Sequence, residues 1–156
     1  QDKKTIETQK SEIEKMQKQI DEMKISSDNL AKESKADSLK AAEKLKQNNN
    51  REWFHEHKTV FKEVELGVKQ FYAQVYEQLN TVDSIDTFKI FRIYRDVRFS
   101  KNKLPYKTHF SGSFHRTKPE LRGGYYLHIA PQNESFIATG FWDPNKEDLL
   151  RIRKEF

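Results

Sequence analysis

One short stretch of the sequence gathers the side chains best suited to binding an anion. From Phe91 to His109 the residues read FRIYRDVRFSKNKLPYKTH, and cationic side chains recur throughout. Guanidinium forks and ammonium groups are common partners of phosphate and carboxylate oxygens. We therefore predict that this strand–loop–strand unit makes the protein a binding module for a phosphorylated small ligand. The predicted ligand-binding residues are Arg92, Arg95, Arg98, Lys101, Lys103 and Lys107.

Asp96 lies among these cations and leaves two alternatives open. It can order Arg92 and Arg98 in a solvated, salt-bridged sheet face that binds nothing. It can also form an acid–base pair with His109 if their two strands are adjacent, and the protein would then be a hydrolase or transferase. No G-x-S-x-G nucleophile elbow occurs in the sequence. Whether the protein is an enzyme therefore stays open.

The same region suggests single-stranded nucleic acid as an alternative ligand. Ten basic residues and only two acidic ones lie within residues 89–122, and aromatic residues are interleaved with them. Proteins that bind single strands stack bases on aromatic rings and hold the phosphates with basic groups. Most of these rings must also cover the core side of a sheet, so nucleic acid is the second interpretation.

A metal site is not predicted. His55 and His57 are two residues apart, and side chains at that spacing on a helix point about 200° away from each other. They cannot chelate one ion together, and the sequence contains no cysteine to ligate zinc or an iron–sulfur cluster. We expect no metal and no cofactor.

The elements that must position these residues form an α+β fold. Asn50 can cap a long core helix with a wide apolar face, and Asp143 with Pro144 can begin a C-terminal helix. Between them the hydrophobic period changes to two, which predicts an antiparallel meander of about four strands packed on the core helix. The predicted strands are Phe88–Phe99, Tyr106–His115, Gly124–Ala130 and Glu134–Trp142.

The first third of the chain differs from the rest. The sequence is 35% hydrophobic and 34% charged, yet every aromatic residue lies at or after Trp53. We predict that residues 1–42 form a charged, coiled-coil-like helical extension and that residues 43–156 form the α+β domain. Isoleucines every seven residues and apolar residues at the complementary spacing indicate a coiled-coil seam. The seam residues are Ile6, Ile13, Ile20, Met16, Met23 and Leu30.

This seam supports a homo- or hetero-oligomer through residues 6–30, and a scaffold or interaction protein is therefore a further alternative function. The seam decays after roughly three heptads, at Ser27 and Ser34, so a solvated spacer helix or a fused segment is equally compatible with it.

Four segments in order resemble one protein family: Asn48–Lys58 (NNNREWFHEHK), Phe91–His109, Gly124–Ile129 (GYYLHI) and Gly140–Pro144 (GFWDP). Residues 43–156 resemble the bacterial and fungal family catalogued as domain of unknown function 2461. The resemblance implies a soluble α+β domain, usually cytosolic, with no assigned activity and no known cofactor. Asn102 stands where many members have Asp, which argues against a metal or acid–base role there.

The resemblance also implies that the family domain continues beyond Phe156, so we expect an incomplete or rearranged domain. The last helix would then present an apolar stripe that the sheet, the N-terminal helix or a second copy must cover. The stripe consists of Leu149, Leu150, Ile152 and Phe156.

Localisation is weakly defined by the sequence. The chain starts at Gln1, and no apolar run approaches the roughly 18 residues of a membrane span. The resemblance favours the cytoplasm; export to the periplasm is the alternative.

Overall fold

The computed structural model describes residues 2–119, 121–141 and 144–155. The order of elements confirms the α+β class, with a long first helix, a core helix, a four-stranded antiparallel sheet and a final helix. The helices are α1 (Asp2–Gln47), α2 (Arg51–Glu56), α3 (Lys58–Leu79) and α4 (Lys146–Glu155). The strands are β1 (Ile85–Phe91), β2 (Phe110–Arg116), β3 (Gly124–Ile129) and β4 (Phe136–Gly140). None of the helices in these ranges is long and apolar enough to span a membrane.

The core helix begins as expected but is interrupted. The Asn50 side chain accepts a hydrogen bond from the backbone N–H of Trp53 at 2.9 Å, which caps α2. One turn later the helix breaks at His57, whose ring stacks on Trp53 at 4.1 Å and whose Nδ1 lies 2.8 Å from the Trp53 carbonyl oxygen. The chain then resumes as α3, so the predicted single helix is two helices.

The sheet is a simple meander that packs one face on α3. The strand order is β1-β2-β3-β4, and every neighbouring pair is antiparallel. Tyr72 of α3 is fully buried at the centre, where its ring stacks on Phe114 at 5.6 Å. Its hydroxyl donates to the Leu127 carbonyl oxygen at 2.8 Å. Burial raises the pKa of the Tyr72 hydroxyl, so the group remains a neutral donor.

The second half of α1 packs against α3 in antiparallel fashion. The Gln74 side chain donates to the Ser27 carbonyl oxygen at 3.1 Å, and a Cβ on Gly67 would lie 3.1 Å from the Ser34 hydroxyl oxygen. These two contacts share one register, in which each step along α3 is one step back along α1. Leu45 and Ala42 of α1 are 0% and 1% exposed and belong to the main core.

The predicted strand Phe88–Phe99 is wrong at its end. Strand β1 ends at Phe91, and residues 92–109 form a long loop in which only Tyr94 and Tyr106 form a β-bridge. The second predicted strand likewise begins at Phe110 rather than at Tyr106. The alternation of apolar and polar residues in this region therefore arises from the packing of the loop, which buries Ile93 and Tyr106, and does not indicate a continuous strand.

The start of the C-terminal helix also differs from the prediction. The cap is Asn145, whose side-chain oxygen accepts from the Asp148 backbone N–H at 2.8 Å; the predicted cap, Asp143, lies outside the described residues. Leu149 and Leu150 are 36% and 56% exposed, whereas Asp148 is buried and paired with Arg122 at 3.1 Å. Phe156, the last residue of the predicted stripe, also lies outside the described part.

Candidate functional site

The loop formed by residues 92–109, here the basic loop, is closed like a hairpin at its base. The backbone N–H of Arg95 donates to the Pro105 carbonyl oxygen at 2.9 Å, and that of Lys107 donates to the Ile93 carbonyl oxygen at 2.8 Å. Together with the bridge between Tyr94 and Tyr106, these bonds fix the two ends of the loop side by side. The basic loop therefore has a defined backbone at its base.

Asn49, just before α2, attaches the basic loop to the helices. Its side-chain amide donates to the Tyr106 carbonyl oxygen at 2.9 Å, and its carbonyl oxygen accepts from the Tyr106 N–H at 3.1 Å. One side chain thus satisfies both backbone groups of Tyr106, as a neighbouring strand would. This clamp sets the distance between the start of α2 and the loop.

Aromatic packing completes the attachment. The buried ring of Phe54 in α2 stacks on Tyr106 at 4.0 Å and meets the edge of Tyr94 at 5.7 Å. Burial and then Tyr94 raise the pKa of the Tyr106 hydroxyl, while the nearby Arg51 guanidinium acts in the opposite direction. The Arg51 charge therefore lies close to these rings.

A cleft of about 360 Å³, here the inner cleft, opens between α2, the start of α3 and the basic loop. Its basic lining residues are Arg51, His55, Lys58 and Arg95, and none of its nine described lining residues is acidic. The aromatic part of its wall is formed by Phe54, Tyr94 and Tyr106. Among the ion pairs of the described residues, none involves Arg51, Lys58 or Arg95. The inner cleft is therefore a concave, cationic site with an aromatic wall.

A second, more open cleft of about 650 Å³ continues past Arg51, Val97 and Pro105, which line both cavities. Lys101 and Lys103 both line this second cleft, here the outer cleft. The Lys103 ammonium donates to the Val97 carbonyl oxygen at 3.0 Å and to the Arg98 carbonyl oxygen at 3.4 Å, so it stabilises the loop tip.

The six predicted ligand-binding residues do not converge on one point. Arg95 lines the inner cleft, and Lys101 and Lys103 line the outer one. Arg98 is exposed and forms a two-point ion pair with Asp96, at 2.6 and 2.9 Å, which neutralises its charge locally. The Arg98 hydrogen bonds lower the pKa of the Asp96 carboxyl, with a smaller contribution from Arg92.

Arg92 and Lys107 form a third group, beside the sheet. The Lys107 ammonium lies 5.6 Å from the centre of the Phe91 ring, and burial, then the charge of Arg92, lower its pKa. Lys107 lies near His109, the histidine of the predicted acid–base pair, because the Lys107 charge lowers the His109 pKa, as does that of Arg95.

His109 contacts another histidine rather than the predicted Asp96. Its ring stacks on His128 at 4.1 Å, and the His128 Nδ1 lies 3.0 Å from the Tyr126 hydroxyl. Burial lowers the pKa of His109 to about 4, with further contributions from His128, Lys107 and Arg95. Burial also lowers the pKa of His128, and Glu134 opposes that shift. Among the described contacts, none joins Asp96 to His109, and no group of three metal-ligating side chains occurs in the described ranges.

Because the pKa of His109 is lowered in the folded chain, the stability of the protein should depend on pH. Between pH 7 and about pH 4.5 the unfolded chain binds a proton on His109 before the folded chain does, so the free energy of unfolding falls as the pH falls. A pKa lowered from 6.5 to about 4 would correspond to about 3 kcal/mol, and partial exposure of the ring reduces this to roughly 1–2 kcal/mol.

We expect His109→Asn to remove this part of the pH dependence, measured by urea unfolding at pH 7.0, 6.0 and 5.0. The matched control, His55→Asn, replaces an exposed imidazole and should keep the slope of the wild type. An unchanged slope in His109→Asn would contradict the assignment.

The sequence prediction missed three residues of the inner cleft: Arg51, His55 and Lys58. Arg51 and His55 are four positions apart, on one face of α2, and Lys58 is the first residue of α3, just past the break at His57. The spacing of these basic residues is visible in the sequence. It indicates a site only together with Arg95, and only the fold brings Arg95 to the same cleft.

The family model described as "Conserved hypothetical protein (DUF2461)" matches residues 37–156. The chain belongs to this family. The DUF2461 match confirms the resemblance, and it spans both segments that line the two clefts. It begins within α1, ahead of the buried residues Ala41, Ala42 and Leu45. No curated protein and no solved structure matches the chain.

Proposed function

We propose that this DUF2461 domain is a binding module for a small phosphorylated ligand, which it holds in the inner cleft. The observation that carries the proposal is the lining: Arg51, Lys58 and Arg95 converge on one concave space without an acidic lining residue or an ion-pair partner in the described chain. Cations that meet without a counter-charge repel one another, and a bound anion relieves that repulsion.

The aromatic wall favours a ligand with an organic body beyond its phosphate. Tyr94 is 45% exposed and presents its ring to the inner cleft, whereas Phe54 and Tyr106 are buried behind it. A phosphate would bind the guanidinium groups, and the body of the ligand would pack on Tyr94. The volume of about 360 Å³ is in the range of small-molecule sites.

The test is calorimetric titration at low ionic strength with two probes, inorganic pyrophosphate and adenosine monophosphate. In the variant Arg51→Gln/Arg95→Gln we expect affinity for both probes to fall about tenfold or more, because charge-assisted hydrogen bonds contribute about 1.5–3 kcal/mol each. The control Lys69→Gln/Lys89→Gln removes two exposed ammonium groups elsewhere and should change the affinity less than about twofold. Thermal melting of each variant checks that it is folded.

A second variant separates the inner cleft from the rest of the predicted residues. Arg92→Gln/Lys107→Gln removes the Lys107 ammonium near His109 and the Arg92 guanidinium that acts on Lys107, and we expect the affinity for pyrophosphate to remain close to that of the wild type. Loss of binding in this variant, with unchanged binding in Arg51→Gln/Arg95→Gln, would refute the inner cleft as the site.

Single-stranded nucleic acid is a second candidate, favoured by the sheet face opposite α3. The rings of Phe91, Tyr126 and Phe136, from β1, β3 and β4, form a row across the sheet. The ring centroids of Phe91 and Tyr126 are 6.4 Å apart, those of Tyr126 and Phe136 are 5.7 Å apart, and the Lys107 ammonium lies over the Phe91 ring. A deoxythymidine oligomer that binds more tightly than pyrophosphate, with a steep salt dependence and sensitivity to Phe136→Ala, would favour this alternative.

A further inference from the structure

The first half of α1 extends beyond the body of the domain. In the register fixed by the contacts Ser27 with Gln74 and Ser34 with Gly67, the end of α3 at Leu79 lies beside the Asp21–Met23 turn of α1. About 20 residues of α1, roughly 30 Å of helix, therefore lie beyond α3. Every described side chain between Lys10 and Ser26 is exposed.

This projecting helix carries an apolar seam that nothing in the described chain covers. Ile13, Met16, Ile20 and Met23 are 61%, 53%, 41% and 63% exposed. They occupy alternating a and d positions of the heptad pattern, with isoleucine at a; the side chain of Ile6, the preceding a position, lies outside the described part. An isolated helix of this length and polarity is marginal in water, since most helical stability comes from packing an apolar face.

The seam and the docking face of α1 follow one another along the helix. Where the isoleucines end, the a positions become Ser27 and Ser34, and these small residues contact α3 of the same chain. The bulky part of the seam thus lies on the segment that α3 does not reach. We infer that Ile13–Met23 is a dimerisation surface whose occupant is the same segment of a second copy, in a parallel two-stranded coiled coil.

Charge distribution selects the parallel arrangement. Lys10 and Lys24 occupy e positions and Glu12 a g position. In a parallel pair, g faces the following e position of the second copy, so Glu12 faces Gln17 and Gln19 faces Lys24, with no like-charged contact. An antiparallel pair with the same core layers faces e with e, so Lys10 would lie opposite Lys24 of the second copy twice.

Sedimentation equilibrium of the full chain, over about 5–500 µM, tests the dimer. With only about three heptads the association is weak, so we expect the mean mass to rise with concentration from one chain toward two. Met16→Glu/Ile20→Glu places carboxylates in the seam and should keep the chain monomeric throughout, with an unchanged melting temperature at low concentration.

The matched control is Ile25→Glu. Ile25 is as exposed as Met23, at 62%, and lies on the same helix but off the seam. It should associate as the wild type does. A wild-type chain that stays monomeric, a seam variant that still associates, or an Ile25→Glu variant that does not, would each overturn the proposal.

Disulfide trapping distinguishes the orientation, because the chain has no cysteine of its own. In a parallel pair, Ile13→Cys and Met23→Cys should each form a disulfide-linked homodimer when equilibrated in a glutathione buffer. An antiparallel pair places position 13 opposite position 23, and it would cross-link only in a mixture of the two variants. That result would overturn the parallel arrangement.

Discussion

Removal of residues 1–42 will unfold the domain, whereas removal of residues 1–26 will leave it folded. The second half of α1 covers α3 and buries Ser38, Ala41 and Ala42, which are 0%, 6% and 1% exposed. Without them the face of α3 around Val68 meets water and loses its packing. We expect a loss of roughly 5 kcal/mol or more, comparable with the whole stability of a small domain. Urea unfolding followed by circular dichroism measures it.

A point variant gives the same information without truncation. Leu45 is fully buried at the end of α1, so Leu45→Ala should lower the free energy of unfolding by about 2–5 kcal/mol. Lys44→Ala, one residue earlier and exposed, should change it by less than about 0.5 kcal/mol.

If the chain without residues 1–42 unfolds cooperatively at the wild-type urea midpoint, the boundary lies after residue 42, as the composition suggested.

The boundary shows what composition could and could not predict. The charged, aromatic-free character of residues 1–42 predicted a coiled-coil-like helical extension, with a solvated spacer helix as the alternative. The side chains of Lys10–Ser26 are exposed, whereas Ser38, Ala41 and Ala42 are buried. The Ser27 and Ser34 positions were interpreted as decay of the seam. In the fold, small side chains let two helices approach closely, and Ser34 lies directly against Gly67. A serine at a helix contact and a serine facing water have the same sequence signature.

Local signals were the most reliable guides to the fold. The Asn50 cap formed because a side-chain oxygen three residues before an N–H is a short-range arrangement, independent of the rest of the chain. The antiparallel meander followed from short connections between β-rich segments. The prediction of where β1 ends was wrong, because a strand continues only while a neighbouring strand pairs with it. Phe91 pairs with Ser111, and only Phe110 precedes Ser111 in β2, so the end of β1 depends on where another segment begins.

The site required the same long-range information. The sequence shows that residues 92–109 are rich in cations, but the positions of these cations depend on how Asn49 and Phe54 hold the base of the loop. Asp96 was expected to order Arg92 and Arg98 from a strand face; its ion pair is with Arg98, in a loop. The helical residues Arg51 and Lys58 lie about 40 positions away in sequence and join Arg95 only through the fold.

Gly112→Ala will destabilise the packing between the sheet and α3. A Cβ on Gly112 would lie 2.6 Å from Cε1 of Tyr72 and 2.7 Å from the Lys89 carbonyl oxygen, both closer than normal contact. The Tyr72 ring cannot withdraw, because its face stacks on Phe114 and its hydroxyl is bonded to the Leu127 carbonyl oxygen. The Lys89 oxygen belongs to the neighbouring strand, so relief there would separate β1 from β2.

We therefore expect Gly112→Ala to lower the free energy of unfolding by about 3 kcal/mol, the upper part of the usual range for overpacking. Ser113→Ala is the matched control, because it lies one residue along the same strand, on the opposite face, and should cost less than about 1 kcal/mol. The double variant Tyr72→Leu/Gly112→Ala should lose less free energy of unfolding than the sum of the two single variants, since the shorter side chain at position 72 removes one of the two clashes. Equal urea midpoints for Gly112→Ala and the wild type would mean that α3 and the sheet are not packed as tightly as Tyr72 and Gly112 indicate.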